Sequence, residues 1–274
     1  FMFANAIDDS LMGVDLVLRG DDHLSNTPRQ IALLESLNLS LPRYAHVSLF
    51  TGSDGAPLSK RNGSLSISDL KEMGYLPIAV SNYLSRVGHT INDNDLKTQK
   101  ELADSFETKN ISSSPSKFDL DQLLFWQKKA VDNLTIDECA SWLSGNLDNL
   151  PPTVQERSFI ELIKENINFP SEAREYVNNL FINSLSGDEE NLKIIQSAGQ
   201  EFFILALEVV NPGISDWKQT CKDIEARTGK KGKELFMPLR VAITGQTRGP
   251  ELDKVIELIG LERVLERLKE ASQI

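Results

Sequence analysis

The sequence predicts a mainly α protein that opens on a short α/β segment, and three observations predict it. Two brief apolar runs, "GVDLVLRG" and "HVSLF", bracket the helix-patterned "TPRQIALLESLNL", which is the strand–helix–strand order of a parallel sheet unit. Downstream of Ser66 the apolar patterns have helical spacing throughout. At 274 residues the chain also exceeds the usual size of one compact domain, so more than one core is expected.

The elements follow in order. "FMFANAIDDSLMG" has no basic stretch leading into an apolar core, so it is no targeting signal; it reads as the interior of a longer chain, entered just before a core strand. "GVDLVLRG" is a short strand closed by a polar turn. "TPRQIALLESLNL" then offers Thr27 as N-cap and Pro28 at the first helical position. "HVSLF" is a second strand, ending at the turn "TGSDGAP". Ligands of such sheets sit beyond the carboxyl ends of the strands, so "RGDDH" and "PLSKR", each following a strand, are expected on one rim. This is half of a Rossmann-type α/β sheet.

Beyond it, "SISDLKEMG" has a serine cap and a glycine stop, and "LPIAVSNYLSRVG" ends at Gly88. "SPSKFDLDQLLFWQKKAV", "TIDECASWLSGNL", "PTVQERSFIELIKENI", "SEAREYVNNLFI", "EFFILALEVV" and "GPELDKVIELIGLERVLERLKEA" all read as helices, the last interrupted at Gly260. The expected division is residues 1–66, 67–131 and 132–274, the last with an internal break near 185.

Composition, 40% hydrophobic and 25% charged, is that of a water-soluble globular chain, and no apolar run approaches the ~20 residues that span a bilayer. Cys139 and Cys221 are far apart without a nearby histidine, which excludes a readable zinc knuckle or disulfide framework and suggests a reducing, cytoplasmic setting. The net charge of −11 argues against nucleic acid as a partner. Its distribution argues the other way. From Arg227 to Arg248 six cations face Glu234 alone, a local net of +5. On its own this run reads as a solvated face.

Two constellations could carry chemistry. In "VLRGDDH", extended alternation would turn Asp21 and His23 one way and Arg19 and Asp22 the other; a metal site, an acid/base cluster and a polar strand end all remain open. Arg19, ending an apolar strand, calls for a carboxylate or phosphate partner. In "PLSKR", Lys60 and Arg61 could hold a polyphosphate as point charge and fork, with Gly55 and Gly63 letting the loop move; a solvated loop remains equally open.

Order and spacing together narrow the choice. From "FANAIDDSLMGVDLVLRGDDHLSN" through "APLSKRNGSLSISDL", "SPSKFDLDQLLFW" and "KELFMPLRVAITGQTRGPEL", the chain resembles bacterial glutamyl-tRNA synthetase, a class I aminoacyl-tRNA synthetase. "PLSKR" stands where that family has its mobile KMSKS-type loop. The resemblance implies the C-terminal half of a Rossmann-type catalytic domain, then all-helical connector and anticodon-binding domains. It implies a glutamate–tRNA ligase that uses ATP and Mg2+, acts on glutamate and tRNA-Glu, and works as a monomer without membrane or protein-held metal. By the same resemblance Asn5 and Arg19 bind glutamate, Asp22 and His23 border the nucleotide pocket, and Ser59, Lys60 and Arg61 hold the triphosphate, Lys60 stabilising charge as pyrophosphate leaves. Arg240, Arg248, Gly249, Pro250 and Leu252 fall on the anticodon-contacting segment, to which the +5 run would add phosphate attraction.

Departures matter too. His23, His46 and His89 are the only histidines, and none lies in the family's HIGH motif. The 274-residue chain alone is therefore expected to show no ATP–pyrophosphate exchange with glutamate and tRNA present. Phe1 stands for a tyrosine, Ala56 and Pro57 for a lysine, and Lys117 for an arginine. Where members that reject tRNA-Gln tend to carry an arginine, this chain has Lys164, Glu165 and Asn166, which leaves tRNA-Gln as a second substrate. The alternatives are a non-catalytic tRNA-binding module and the paralogue that glutamylates a modified base of tRNA-Asp, against which the helices from Val131 to Ile274 speak.

Overall fold

The computed structural model describes every residue except 53, 54, 57, 59–64, 90, 92, 113 and 186–188. Two compact units divide the chain, Phe1–Ala130 and Val131–Ile274.

The first unit begins with helix α1 (Met2–Leu11), where a core strand was expected nearby. Strand β1 (Leu16–Gly20) follows, then a 3-10 turn over Asp21–Asn26, helix α2 (Thr27–Ser36) and strand β2 (Arg43–Val47). β1 and β2 pair in parallel, with Arg19 opposite His46 and Gly20 opposite Val47. α1 packs on α2 through the buried Ala6 and Leu34, and Gln30 Nε2 donates to Met2 O at 3.2 Å. Thr27 is not the cap of α2 but its first residue, because its hydroxyl is engaged across the strands.

Strand β3 (Phe50–Thr51) pairs in parallel with β4 (Ser116–Lys117). The start of "SPSKFDLDQLL" is thus extended rather than helical: a pairing partner more than sixty residues away overrides the local pattern. Between these strands lie α3 (Ile67–Met73), α4 (Pro77–Leu84) and α5 (Gln99–Asp104). α3 starts where the sequence says it should. Ser66 accepts from Asp69 N, Asp69 answers to Ser66 N, and Gly74 ends the helix in the left-handed region at φ 91°. α6 (Leu120–Asn133) carries Gln127, fully buried, which accepts from Leu76 N at 2.9 Å and donates to Gly74 O. A buried amide is stable there because both of its ends are matched.

Among the described residues of the second unit every regular element is a helix, and turns and loops join them: α7 (Ile136–Trp142), α8 (Glu156–Ile163), α9 (Pro170–Val177), α10 (Glu189–Ala198), α11 (Gln200–Val210), α12 (Trp217–Thr228), α13 (Lys233–Thr244) and α14 (Leu252–Ala271). A π turn over Asn178–Ile182 extends α9, and Gly260, at φ 79°, breaks α14. Phe159, Ile160, Ile163, Phe203, Leu239 and Leu268 are fully buried in one core. Both cysteines are free and buried, and burial pushes the Cys221 thiol up to about 11. A thiol reagent is therefore expected to label neither in the native chain and both after denaturation.

Candidate functional sites

At the carboxyl ends of β1 and β2 a polar cluster forms around Arg19. Its Nη2 donates to Thr27 Oγ1 at 2.8 Å, Thr27 Oγ1 lies 3.0 Å from His46 Nε2, and the guanidinium sits 5.1 Å from the centre of the Tyr44 ring. Parallel register explains the grouping: Val17 faces Tyr44 and Arg19 faces His46, so the alternate residues of both strands share one side. Arg19 Nε and Tyr44 Oη are buried and have no partner among the described residues. Burial raises the Tyr44 phenol, against the pull of Arg19, so it stays protonated. An unpaired guanidinium N–H beside a phenol fits a carboxylate or phosphate.

Alternation fails one residue later. Asp21, Asp22 and His23 belong to the 3-10 turn, so they do not continue the strand's two faces. His23 Nε2 lies 3.6 Å from the Asp22 carboxylate and its Nδ1 3.0 Å from Asn26 Nδ2, which orients the ring. The Asp22 side chain folds back over Gly20, where any Cβ would collide with it. Asn5 is exposed on α1. Ser59, Lys60 and Arg61 lie outside the described residues. Among the described residues no three His, Cys, Asp or Glu are grouped to hold a metal ion.

In the second unit the 245–250 loop joins α13 to α14. Gly245 closes α13 in the left-handed region, at φ 67°, and its carbonyl accepts from Asn191 Nδ2 at 2.7 Å. At the other end Arg240, on α13, donates from Nη2 to Pro250 O at 2.9 Å. Its Nη1 is buried and without a partner among the described residues, and burial lowers the guanidinium's pKa. Arg240 thus holds the loop from beneath. Arg248 is exposed on it, Pro250 is buried, and Leu252, only 8% exposed, roots the start of α14. The loop borders a cavity of about 510 Å3 whose lining includes Asn166, Glu175, Tyr176, Asn179, Gln246 and Arg248.

Gly249 has two reasons to be glycine. Its φ is 139°, and an added Cβ would stand 3.0 Å from the Tyr176 hydroxyl. Gly249→Ala is expected to cost roughly 1–2 kcal/mol, read by urea unfolding, because the left-handed region penalises a Cβ by about that much.

Most of the +5 run is used inside the fold. Arg227 pairs with Glu208 at 2.9 Å, Lys231 with Glu225 at 3.0 Å, and Lys230 donates to Ala198 O at 2.8 Å. With Arg240 engaged on Pro250, Lys233 and Arg248 are the cations of this run without a partner among the described residues. Lys164, considered above for specificity, donates to the carbonyls of Asp132 and Leu134 at the end of α6, whereas Asn166 lines the cavity.

Thr27, Tyr44, His46 and Tyr176 are given no site role by the sequence alone. "RYAHV" places Tyr44 and His46 two apart on a strand, and "EYVNNLFIN" places Tyr176, Asn179 and Asn183 at helical spacing, but only register and burial give those spacings meaning.

The catalytic-domain family of class I tRNA synthetases (E and Q) matches residues 1–125, and the anticodon binding domain family matches residues 120–272. Over its full length the chain is 45% identical to glutamate–tRNA ligase 1 of Halorhodospira halophila and 41% identical to glutamate–tRNA ligase 2 of Coxiella burnetii. It spans 57% and 59% of those two proteins, little more than half of their length. The crystal structure of glutamate–tRNA synthetase from Elizabethkingia anophelis shares the fold, with a TM-score of 0.80 at 22% identity over all of this chain and 59% of that one. The chain belongs to the anticodon binding domain family, joined to a class I catalytic-domain match, and is a homologue of the glutamate–tRNA ligases.

Proposed function

We propose that the protein is a glutamate–tRNA ligase, which activates glutamate with ATP and transfers it to the 3′ end of tRNA-Glu in the cytoplasm. The observation that carries this reading is the 245–250 loop. It is fixed by Arg240, presents Arg248 to solvent and borders a polar cavity, inside residues matched by an anticodon binding domain. Unstacked loop bases are recognised by hydrogen bonds along their edges, and such a cavity offers the groups for it.

In this reading Arg240, Gly249, Pro250 and Leu252 shape the anticodon contact and Arg248 meets phosphate. At the other site Arg19 holds a glutamate carboxylate through its unpaired Nε–H, with Asn5 beside the substrate and Asp22 and His23 bordering the nucleotide. Ser59, Lys60 and Arg61 take the triphosphate, and ATP supplies the leaving group that a carboxylate lacks. The reaction depends on positioning and charge neutralisation more than on a protein nucleophile. Residues 1–66, 67–131 and 132–274 serve as catalytic, connector and anticodon regions.

Charging of tRNA-Glu and tRNA-Gln transcripts by the full-length gene product tests the proposal. Glutamate on tRNA-Glu is the expected result, and no charging of either would overturn it. Lys164 is occupied by backbone carbonyls, which supports tRNA-Gln as a second substrate, because no cation at that position then rejects it. A purely tRNA-binding role is the second reading, and salt-sensitive binding of tRNA by the full-length gene product without charging would favour it.

A further inference from the structure

We infer that Thr27 and His46 are positioning residues for the substrate carboxylate: acting in series, they hold the Arg19 guanidinium in the orientation that its unpaired Nε–H needs. This rests on the reading above that Arg19 binds glutamate. An arginine side chain has several free torsions, yet its fork meets a carboxylate in one orientation, so an arginine at a strand end needs something to fix it. Here a strand, a hydroxyl and a ring do so. Pairing of β1 with β2 sets Arg19 opposite His46, Nη2 donates to Thr27 Oγ1 at 2.8 Å, and the guanidinium lies over the Tyr44 ring, 5.1 Å from its centre. Because the guanidinium is planar, a bond at Nη2 and a ring beside it set the direction of Nε–H as well. That N–H is buried and has no partner among the described residues, so it is held ready for a ligand.

The hydroxyl proton of Thr27 decides the order of the chain. The Thr27 oxygen already accepts from Arg19, so its single proton must go elsewhere. Two acceptors are within reach, His46 Nε2 at 3.0 Å and the His23 carbonyl at 3.4 Å. The nearer one wins, because hydroxyl bonds centre near ~2.8 Å and weaken beyond about 3 Å. His46 therefore accepts at Nε2 and carries its own proton on Nδ1, and the order runs from Arg19 to Thr27 to His46. A hydroxyl that accepts from a cation donates more strongly, so each link tightens the other. Thr27→Val would keep the shape of the side chain and remove the middle link. His46→Leu would leave the Thr27 proton to the long bond with His23, swinging the oxygen away from Arg19.

Steady-state charging of tRNA-Glu by the full-length gene product, with glutamate and ATP varied in turn, tests this. Thr27→Val is expected to raise the glutamate KM roughly 10- to 50-fold, the effect of losing a hydrogen bond to a charged group, with kcat and the ATP KM within about threefold of wild type. Thr27→Ser keeps the hydroxyl and is expected to hold the glutamate KM within about threefold. His46→Leu is expected to raise it about three- to tenfold, and the double variant to be no worse than Thr27→Val alone, because links in series do not add. Should Thr27→Val fail to fold, His46→Leu and its rescue by His46→Gln, which restores a polar atom at that reach, carry the test. An unchanged glutamate KM in the folded variants, an equal rise for glutamate and ATP, or full additivity in the double variant would overturn the inference. Arg19→Ala then separates the two claims: a raised glutamate KM or lost charging leaves the reading of Arg19 standing. An unchanged glutamate KM in Arg19→Ala, or no charging by the wild type, would overturn both.

Discussion

Arg240→Ala is expected to weaken binding of an anticodon-loop RNA by about 10- to 100-fold, the effect of losing a hydrogen bond to a charged group at a site that needs it. The reason is indirect. Arg240 is half-buried and its Nη2 is committed to Pro250 O, so it acts by holding the 245–250 loop against α13 rather than by reaching RNA. Two comparisons separate this from a phosphate contact. Arg240→Lys keeps one donor and is expected to recover part of the affinity. Arg248→Ala is expected to lower the salt slope of binding by about one, as loss of a phosphate contact does, whereas Arg240→Ala leaves that slope unchanged. Equal loss of slope in both variants would show that Arg240 touches phosphate.

Arg267→Ala is expected to destabilise the second unit by about 3–5 kcal/mol in urea unfolding, the usual effect of removing one partner from a buried charged network. Arg267 is 1% exposed, and burial pulls its pKa down to about 10, which leaves it charged at neutral pH. Its guanidinium donates to Asn183 O at 2.7 Å and to Asn179 O, and it lies 3.5 Å from Glu270, which in turn accepts from Leu185 N at 2.6 Å. One side chain therefore fastens the π turn and the segment after it onto α14. Alanine would strand two carbonyls and leave Glu270 without its cation. A loss under about 1 kcal/mol would show that these groups are solvated instead, since exposed pairs contribute no more than that.

How much of this could be read from the sequence depended on how local the cause was. α3 and α7 start at Ser66 and Thr135, and both starts are capping boxes written within four residues. α1 was not legible: it starts after Phe1 with no side-chain cap and no acid in its first turn. β4 was not legible either, because Ser116 and Lys117 are extended only through pairing with Phe50 and Thr51. The sites divide in the same way. Arg19 stood out as a cation ending an apolar strand. His46 and Tyr44 join it only through the register of β1 on β2, and Thr27 only because the 3-10 turn brings its hydroxyl between them. The basic run misled by composition alone: ion pairs with Glu208 and Glu225, distant in sequence or hidden in the preceding helix, neutralise part of it.

The central claim is that the second unit recognises a tRNA by its anticodon loop. The most direct measurement titrates the 274-residue chain with tRNA-Glu transcript and with the same transcript carrying a replaced anticodon, at about 50 and 200 mM salt. The prediction is binding that weakens with salt and falls at least about tenfold when the anticodon is replaced, since each lost base contact costs about 1–3 kcal/mol. Equal affinity for both transcripts, or no binding at the lower salt, would contradict it.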